Sequence, residues 1–195
     1  IIGNKLKLRL EEKYSKRATN REFSENYNCS LEQMEYVFSN SFATFREGNR
    51  LRRPYPSAGA LYPIDIYVII NHVGDIKKGI YKYNSLQNSL IFIKEIEDFK
   101  KISYVFLNQS FTKENKFSFA CVFIADSFRI ESKYGDRGYR YALIESGHIA
   151  ENIYLTSQEK GLKAVAVGGF IDMEINLLLD LNLEYFPLYA VFVGN

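Results

Sequence analysis

The segment Arg53 to Pro63 reads Arg-Pro-Tyr-Pro-Ser-Ala-Gly-Ala-Leu-Tyr-Pro, holds three of the chain's four prolines and runs straight into the β-branched stretch Ile64 to Ile70. Each proline removes a backbone donor and disfavours the helical region for the residue before it, so the segment predicts a stiff, extended loop delivered into a strand. Ser57, Ala58 and Gly59 then offer N–H groups with little side chain around them, a chemistry suited to a planar ligand rich in acceptors. A tight strand entry without any ligand would leave the same pattern. Near the N-terminus, Arg17, Thr19 and Arg21 alternate two guanidiniums with a hydroxyl. Arginine forks grip phosphate bidentately and a hydroxyl adds a donor, although a solvated basic turn has the same composition. Gly168 and Gly169 follow the apolar run Ala164 to Val167 and expose amides where a side chain would block approach, or mark a turn.

A periodic segment from about Tyr139 to Lys160, ending at Gly161 as a helix does at a C-terminal glycine, carries more polar candidates. On a helical wheel Ala142, Leu143, Gly147, Ile149, Ala150, Ile153 and Tyr154 form one broad apolar stripe, expected to be a central packing face or a dimer seam. Glu145, His148 and Asn152 fall at spacings of three and four on the other side, which stacks three polar heads. A helical histidine with no second histidine or cysteine at ligand spacing reads as a hydrogen-bonding residue rather than a metal ligand.

These candidates need a scaffold, and 195 residues with 47% hydrophobic content supply enough apolar surface for one domain spanning 1–195 with a full core. Twenty-five basic and 23 acidic residues are intermixed to a formal charge of +2, so no single-sign field points to nucleic acid or a membrane surface. Cys29 and Cys121 are too few for a disulfide framework and lack metal-ligand spacing, which suggests a reducing cytoplasm. No apolar run reaches the roughly 18 to 20 residues of a membrane span. Fifteen Tyr and 15 Phe with no Trp are expected mainly to fill the core.

Two helices are expected first: Leu6, Leu8 and Leu10 lead into Glu11 to Lys16, and Ser30 with Gln33 forms a capping box ahead of Leu31, Met34, Val37 and Phe38. Ile64 to Ile70, Gly79 to Tyr83 and Leu90 to Lys94, separated by turn residues, predict an antiparallel meander. Further strands are expected at Phe117 to Ala125, Ala164 to Val167 and Tyr185 to Val193. The expected class is α+β, a mainly antiparallel sheet packed by helices with one long central helix.

The order of these pieces resembles the nitroreductase family of flavin enzymes over essentially the whole chain. Pro-Ser-Ala-Gly-Ala-Leu-Tyr-Pro followed by Gly79-Ile80-Tyr81-Lys82-Tyr83-Asn84, then Tyr139-Arg140-Tyr141 with Glu145-Ser146-Gly147-His148, and Gly168-Gly169-Phe170, look like the SagB-type branch. That branch holds FMN-dependent dehydrogenases that oxidise thiazoline and oxazoline rings of ribosomally made peptides. The resemblance implies FMN at a homodimer interface, with Arg17, Thr19 and Arg21 on the phosphate and ribityl chain and Pro56, Ser57, Ala58, Gly59 and Asn152 also on the cofactor. Gly168 and Gly169 would present N–H groups to the flavin near its reactive nitrogen. The family usually carries further basic phosphate contacts past a terminal Val-Gly, whereas this sequence stops at Asn195; either the N-terminal arginines carry the grip or the sequence is shortened.

Azole-forming members of the branch carry a Lys-Tyr pair, matched in type and position by Lys133 and Tyr134 in the polar stretch Ser132 to Arg137, which reads as a loop. The resemblance makes these two the proton-transfer residues, with Tyr139 and Tyr141 as fallback candidates. A cyclodehydratase complex and a peptide substrate are the implied partners. Two other functions fit the same resemblance: an NAD(P)H-dependent reductase of nitro compounds or quinones, and a non-catalytic scaffold in a peptide-modifying complex that is flavin-binding or has lost its flavin.

Overall fold

In the computed structural model, which describes residues 9–25, 27–182 and 184–195, a small hairpin and a six-stranded sheet carry the β structure. The hairpin pairs β1 (Phe45–Glu47) with β2 (Arg50–Arg52). The sheet contains β3 (Ile64–Ile70), β4 (Gly79–Asn84), β5 (Ser89–Lys94), β6 (Phe119–Asp126), β7 (Lys163–Val167) and β8 (Tyr185–Gly194), in the spatial order β5-β4-β3-β6-β8-β7. Every neighbouring pair is antiparallel. The helices are α1 (Glu12–Ser15), α2 (Leu31–Ser41), α3 (Lys100–Val105), α4 (Ser110–Lys113), α5 (Ser127–Tyr134), α6 (Arg137–Glu159) and α7 (Asp172–Leu179).

The central strands are apolar on both faces, because each face has its own cover. In β3, Ile66, Val68 and Ile70 point to one core while Tyr67 and Ile69 point to the other; in β6, Cys121 and Phe123 alternate with Ala120, Val122 and Ile124. The first core is closed by α2 and α6 through Val37, Phe38, Ala142, Ile149 and Ile153. The second is closed by α3, α4 and α7, where Phe106, Phe111 and Phe117 surround Phe192 at centroid distances of 4.8 to 5.1 Å. Truncating a fully buried ring such as Phe192 to alanine costs about 3–5 kcal/mol. Both sulfhydryls are buried and unpaired.

The meander, the last strand and the capping box match the expectation: Ser30 Oγ accepts from Gln33 N–H at 3.1 Å, and Gln33 Oε1 accepts from Ser30 N–H at 3.0 Å. Leu6 and Leu8 of the N-terminal reading lie outside the described residues. Four features depart from expectation. Strand β6 begins at Phe119 rather than Phe117. The hairpin β1–β2 and the helices α3, α4, α5 and α7 occupy stretches that show too few periods for a helix or strand signal. Ser132 to Tyr134 is the end of α5 and not a loop, since Asp126 caps the helix by accepting from Arg129 N–H at 3.0 Å. On α6, Glu145 is buried at 2% exposure, whereas Leu143 and Gly147 face outward. The wheel grouped residues by polarity, and the actual buried face is set by where the Arg53 to Pro63 loop lies across the helix. Gly161, at φ +70°, ends α6 in the left-handed conformation that glycine adopts at no steric cost.

Candidate functional site

The Arg53 to Pro63 loop is stiff but not extended throughout. Ser57 is extended, after which a single tight turn at Ala58–Ala60 carries Gly59 at φ +60°, with Ala60 at φ +55° and Tyr62 at φ +48° following. Left-handed conformations at the two non-glycine residues cost on the order of 1 kcal/mol each, so surrounding contacts must impose them. They do: Ser57 Oγ accepts from Tyr62 N–H at 2.8 Å, and Ser57 O accepts from Ala60 N–H at 3.0 Å. Among the described residues, the N–H groups of Ser57, Ala58 and Gly59 donate to no acceptor in the chain. Three adjacent free donors on a rigid turn form a ready cradle for an acceptor-bearing edge.

Helix α5 is fastened to the end of this loop. Arg129 donates to Tyr62 O at 2.8 Å and pairs with Asp65 at 3.3 Å and Asp126 at 3.0 Å. Residues four apart share a helix face, so fixing Arg129 aims Lys133 at the loop one turn later. A Cβ built on Gly59 would lie 2.7 Å from Lys133 Nζ and 2.7 Å from the Tyr134 hydroxyl. The absent side chain of Gly59 therefore leaves the space in which the amine and the phenol converge. Lys133 Nζ stands 5.5 Å from the Tyr134 ring, and Tyr134 packs edge-on against Tyr141 at 4.9 Å. Tyr139 turns away and rests on Phe186 at 5.6 Å.

Beneath the loop lies Glu145, whose carboxylate faces the Ser57 hydroxyl without a hydrogen bond of good geometry to any described residue. Burial pushes its pKa up to about 7, against the pull of the Ser57 hydroxyl and the Arg53 and Arg129 guanidiniums. Arg53 donates to the buried Tyr55 hydroxyl at 2.7 Å and lies 4.7 Å over the Tyr62 ring. Asn152 braces the loop's start by donating to Pro54 O at 3.0 Å and Ser41 O at 3.2 Å. Pro56 is exposed at the turn, and His148 is exposed on α6 away from these contacts.

The basic element and the glycine pair belong to a second cluster. Thr19 Oγ1 lies 3.2 Å from the Tyr154 hydroxyl, which accepts from Ala166 N–H of β7 at 2.7 Å; the Arg17 guanidinium lies 5.5 Å from the Tyr154 ring. Gly168 and Gly169 leave the end of that strand exposed. Arg21 points elsewhere, into a cleft with Phe23, Ser110 and Lys116. Asn152 and Tyr154 are two residues apart on α6, a rotation of about 200°, so the loop cluster and the Arg17–Thr19 cluster sit on opposite faces of that helix. Sequence reasoning missed Arg129, Tyr154 and the burial of Glu145; only the Asp126 cap three residues before Arg129 left a readable signal.

Comparison with known proteins identifies the family of the chain. A model described as the nitroreductase family matches residues 14–195. The nitroreductase candidate MJ1384 of Methanocaldococcus jannaschii is 32% identical over 187 residues, covering 96% of this chain and 91% of that protein. The microcin B17-processing protein McbC of Escherichia coli is 28% identical over 181 residues, covering 89% of this chain but only 65% of its own length. Among solved structures, the E. coli microcin synthetase McbBCD complex with truncated pro-MccB17 bound contains a chain that superimposes with a TM-score of 0.78 at 24% identity, covering all of this chain and 77% of that one. That likeness is one of fold.

Proposed function

This chain belongs to the nitroreductase family of oxidoreductases, and on that premise we propose that it is a SagB-type, FMN-dependent dehydrogenase that oxidises thiazoline or oxazoline rings of a ribosomally made peptide to azoles. The observation that carries the reading is the convergence of Lys133 and Tyr134 on Gly59, because ring oxidation needs a base beside a cofactor cradle. The relationship to McbC, named for processing microcin B17, supports a peptide substrate; a place beside a cyclodehydratase is part of the same proposal.

The residues fit FMN. Free N–H groups at Ser57, Ala58 and Gly59 suit the acceptor edge of an isoalloxazine, and Arg17 with Thr19 suits its phosphate. Gly168 and Gly169 extend that donor set in this proposal, whereas Arg21, in its separate cleft, stands outside it; Asn152 holds the loop through Pro54 O and Pro56 stiffens the turn. Because the two clusters face opposite sides of α6, a complete site takes one cluster from each of two copies, which makes the working form a homodimer. Bound FMN would supply a two-electron acceptor for the ring's hydride, with oxygen as the final oxidant. Lys133 or Tyr134 takes the proton from the ring carbon between imine and carbonyl, so one hydride and one proton leave and the azole forms. Tyr141 buttresses Tyr134, and Arg129 keeps α5 against the loop.

The test is the visible spectrum of the purified protein reconstituted with FMN, followed by mass spectrometry of a thiazoline peptide incubated with it. A loss of about two mass units is expected. Lys133→Ala should keep the flavin spectrum and lose about 100-fold or more in ring oxidation; unchanged azole formation rejects the assigned chemistry. The kinship with MJ1384 favours one competing activity, NAD(P)H-dependent reduction of nitro compounds or quinones. Rapid anaerobic bleaching of the flavin by NAD(P)H would select it, and a protein that takes up no FMN would instead be a scaffold.

A further inference from the structure

A cavity of about 720 Å³ opens between the β1–β2 hairpin and the loop that reaches Gly59. Arg50, Arg52 and Arg53 line it together with Tyr55, Tyr62 and the loop's first two prolines, and no acidic residue is among the lining. Its size lies within the range of about 300–1,000 Å³ usual for ligand sites and is far larger than a lone inorganic anion requires. Arg53 is preorganised by the Tyr55 hydroxyl and the Tyr62 ring. Arg52 is held only by an exposed pair with Glu47 at 2.8 Å, a contact worth little in water and readily exchanged for a ligand carboxylate. Among the described residues Arg50 has no ion-pair partner, and both hairpin strands are exposed along their whole length. An exposed hairpin offers backbone donors and acceptors to an extended chain laid beside it. Ala60 and Tyr62 belong both to this wall and to the turn that meets Lys133 and Tyr134.

We propose that this cavity is a substrate subsite that binds an acidic segment of the peptide, with Arg50, Arg52 and Arg53 receiving its carboxylates while an adjacent ring lies at the Lys133–Tyr134 pair. The inference rests on the peptide-oxidising reading above and adds the charge of the sequence that flanks the ring. Guanidinium forks recognise carboxylates bidentately, and three in one cavity select an acidic chain over a neutral one.

The test uses the FMN-loaded protein and two fluorescein-labelled thiazoline peptides that differ only in a flanking run of Glu or of Gln, compared by anisotropy titration. The Glu peptide should bind about tenfold more tightly at low salt, and the preference should shrink as ionic strength rises. In the double variant Arg50→Ala/Arg52→Ala the preference should largely vanish, and in Arg50→Glu/Arg52→Glu it should reverse. Equal binding of the two peptides by the unaltered protein, or an undiminished preference in the double alanine variant, overturns the subsite. So does a double alanine variant that loses affinity for FMN rather than for the Glu peptide, since the cavity would then hold the cofactor phosphate. If the Glu preference holds while the bound thiazoline is never oxidised, the subsite stands and the proposed ring chemistry fails.

Discussion

Lys133 occupies the space that Gly59 leaves by having no side chain: a Cβ on Gly59 would sit 2.7 Å from the lysine Nζ. Loop and helix are thus coupled through a missing methyl group. Gly59 also takes φ +60°, where an added Cβ is strained whatever the room around it. Gly59→Ala should lower stability by about 1 kcal/mol and displace both Lys133 and Tyr134. Denaturant unfolding together with ring-oxidation assays should show a turnover loss much larger than the stability loss, with flavin content retained.

Glu145 gives the protein a pH dependence of definite sign. Its carboxyl is raised to about 7 in the folded chain, against about 4.3 in an unfolded one. The folded state therefore holds a proton that the unfolded state has released, and stability falls as pH rises from about 4.3 through 7, by about 3 kcal/mol for this group. Glu145→Gln removes that titration. The stability of the glutamine variant relative to the unaltered protein should rise by about that amount between pH 4.5 and 8, as read by urea denaturation at each pH. A constant difference would show that the carboxyl titrates normally.

Asn152 ties three segments with one amide, reaching Pro54 O and Ser41 O from α6. Asn152→Ala removes both bonds and should cost about 1–2 kcal/mol in chemical unfolding. The loop loses its brace at the proline end, so limited proteolysis should cut the variant near Arg52 and Arg53 sooner than the unaltered protein.

Tyr154→Phe leaves the Ala166 N–H without its acceptor and Thr19 without its contact. A stability loss of about 1–2 kcal/mol is expected. If Arg17 and Thr19 hold the FMN phosphate, the same change should weaken FMN binding several-fold in a fluorescence titration, with the azole product unaltered at saturating cofactor. Unchanged FMN affinity would detach this cluster from the cofactor.

The amino-acid pattern alone determined the sheet's meander, the capped helix at Ser30 and the long helix ending at Gly161, because periodicity, capping and glycine chemistry are local and each is carried by a short run of residues; the family was legible through the resemblance of its motifs. The loop residues Ser57 to Gly59 and the pair Lys133–Tyr134 were legible one by one as types, the pair through resemblance. Their meeting was not, since more than seventy residues separate Gly59 from Lys133 and the contact depends on Arg129 anchoring α5 to Tyr62 O. Burial of Glu145 was equally hidden: a wheel sorts residues by polarity, whereas the face that is covered depends on which distant segment packs there. Tertiary structure also decided that Arg17 and Thr19 stand across α6 from the loop: helical register puts Asn152 and Tyr154 on opposite faces, but only packing brings Pro54 to the one and Thr19 to the other.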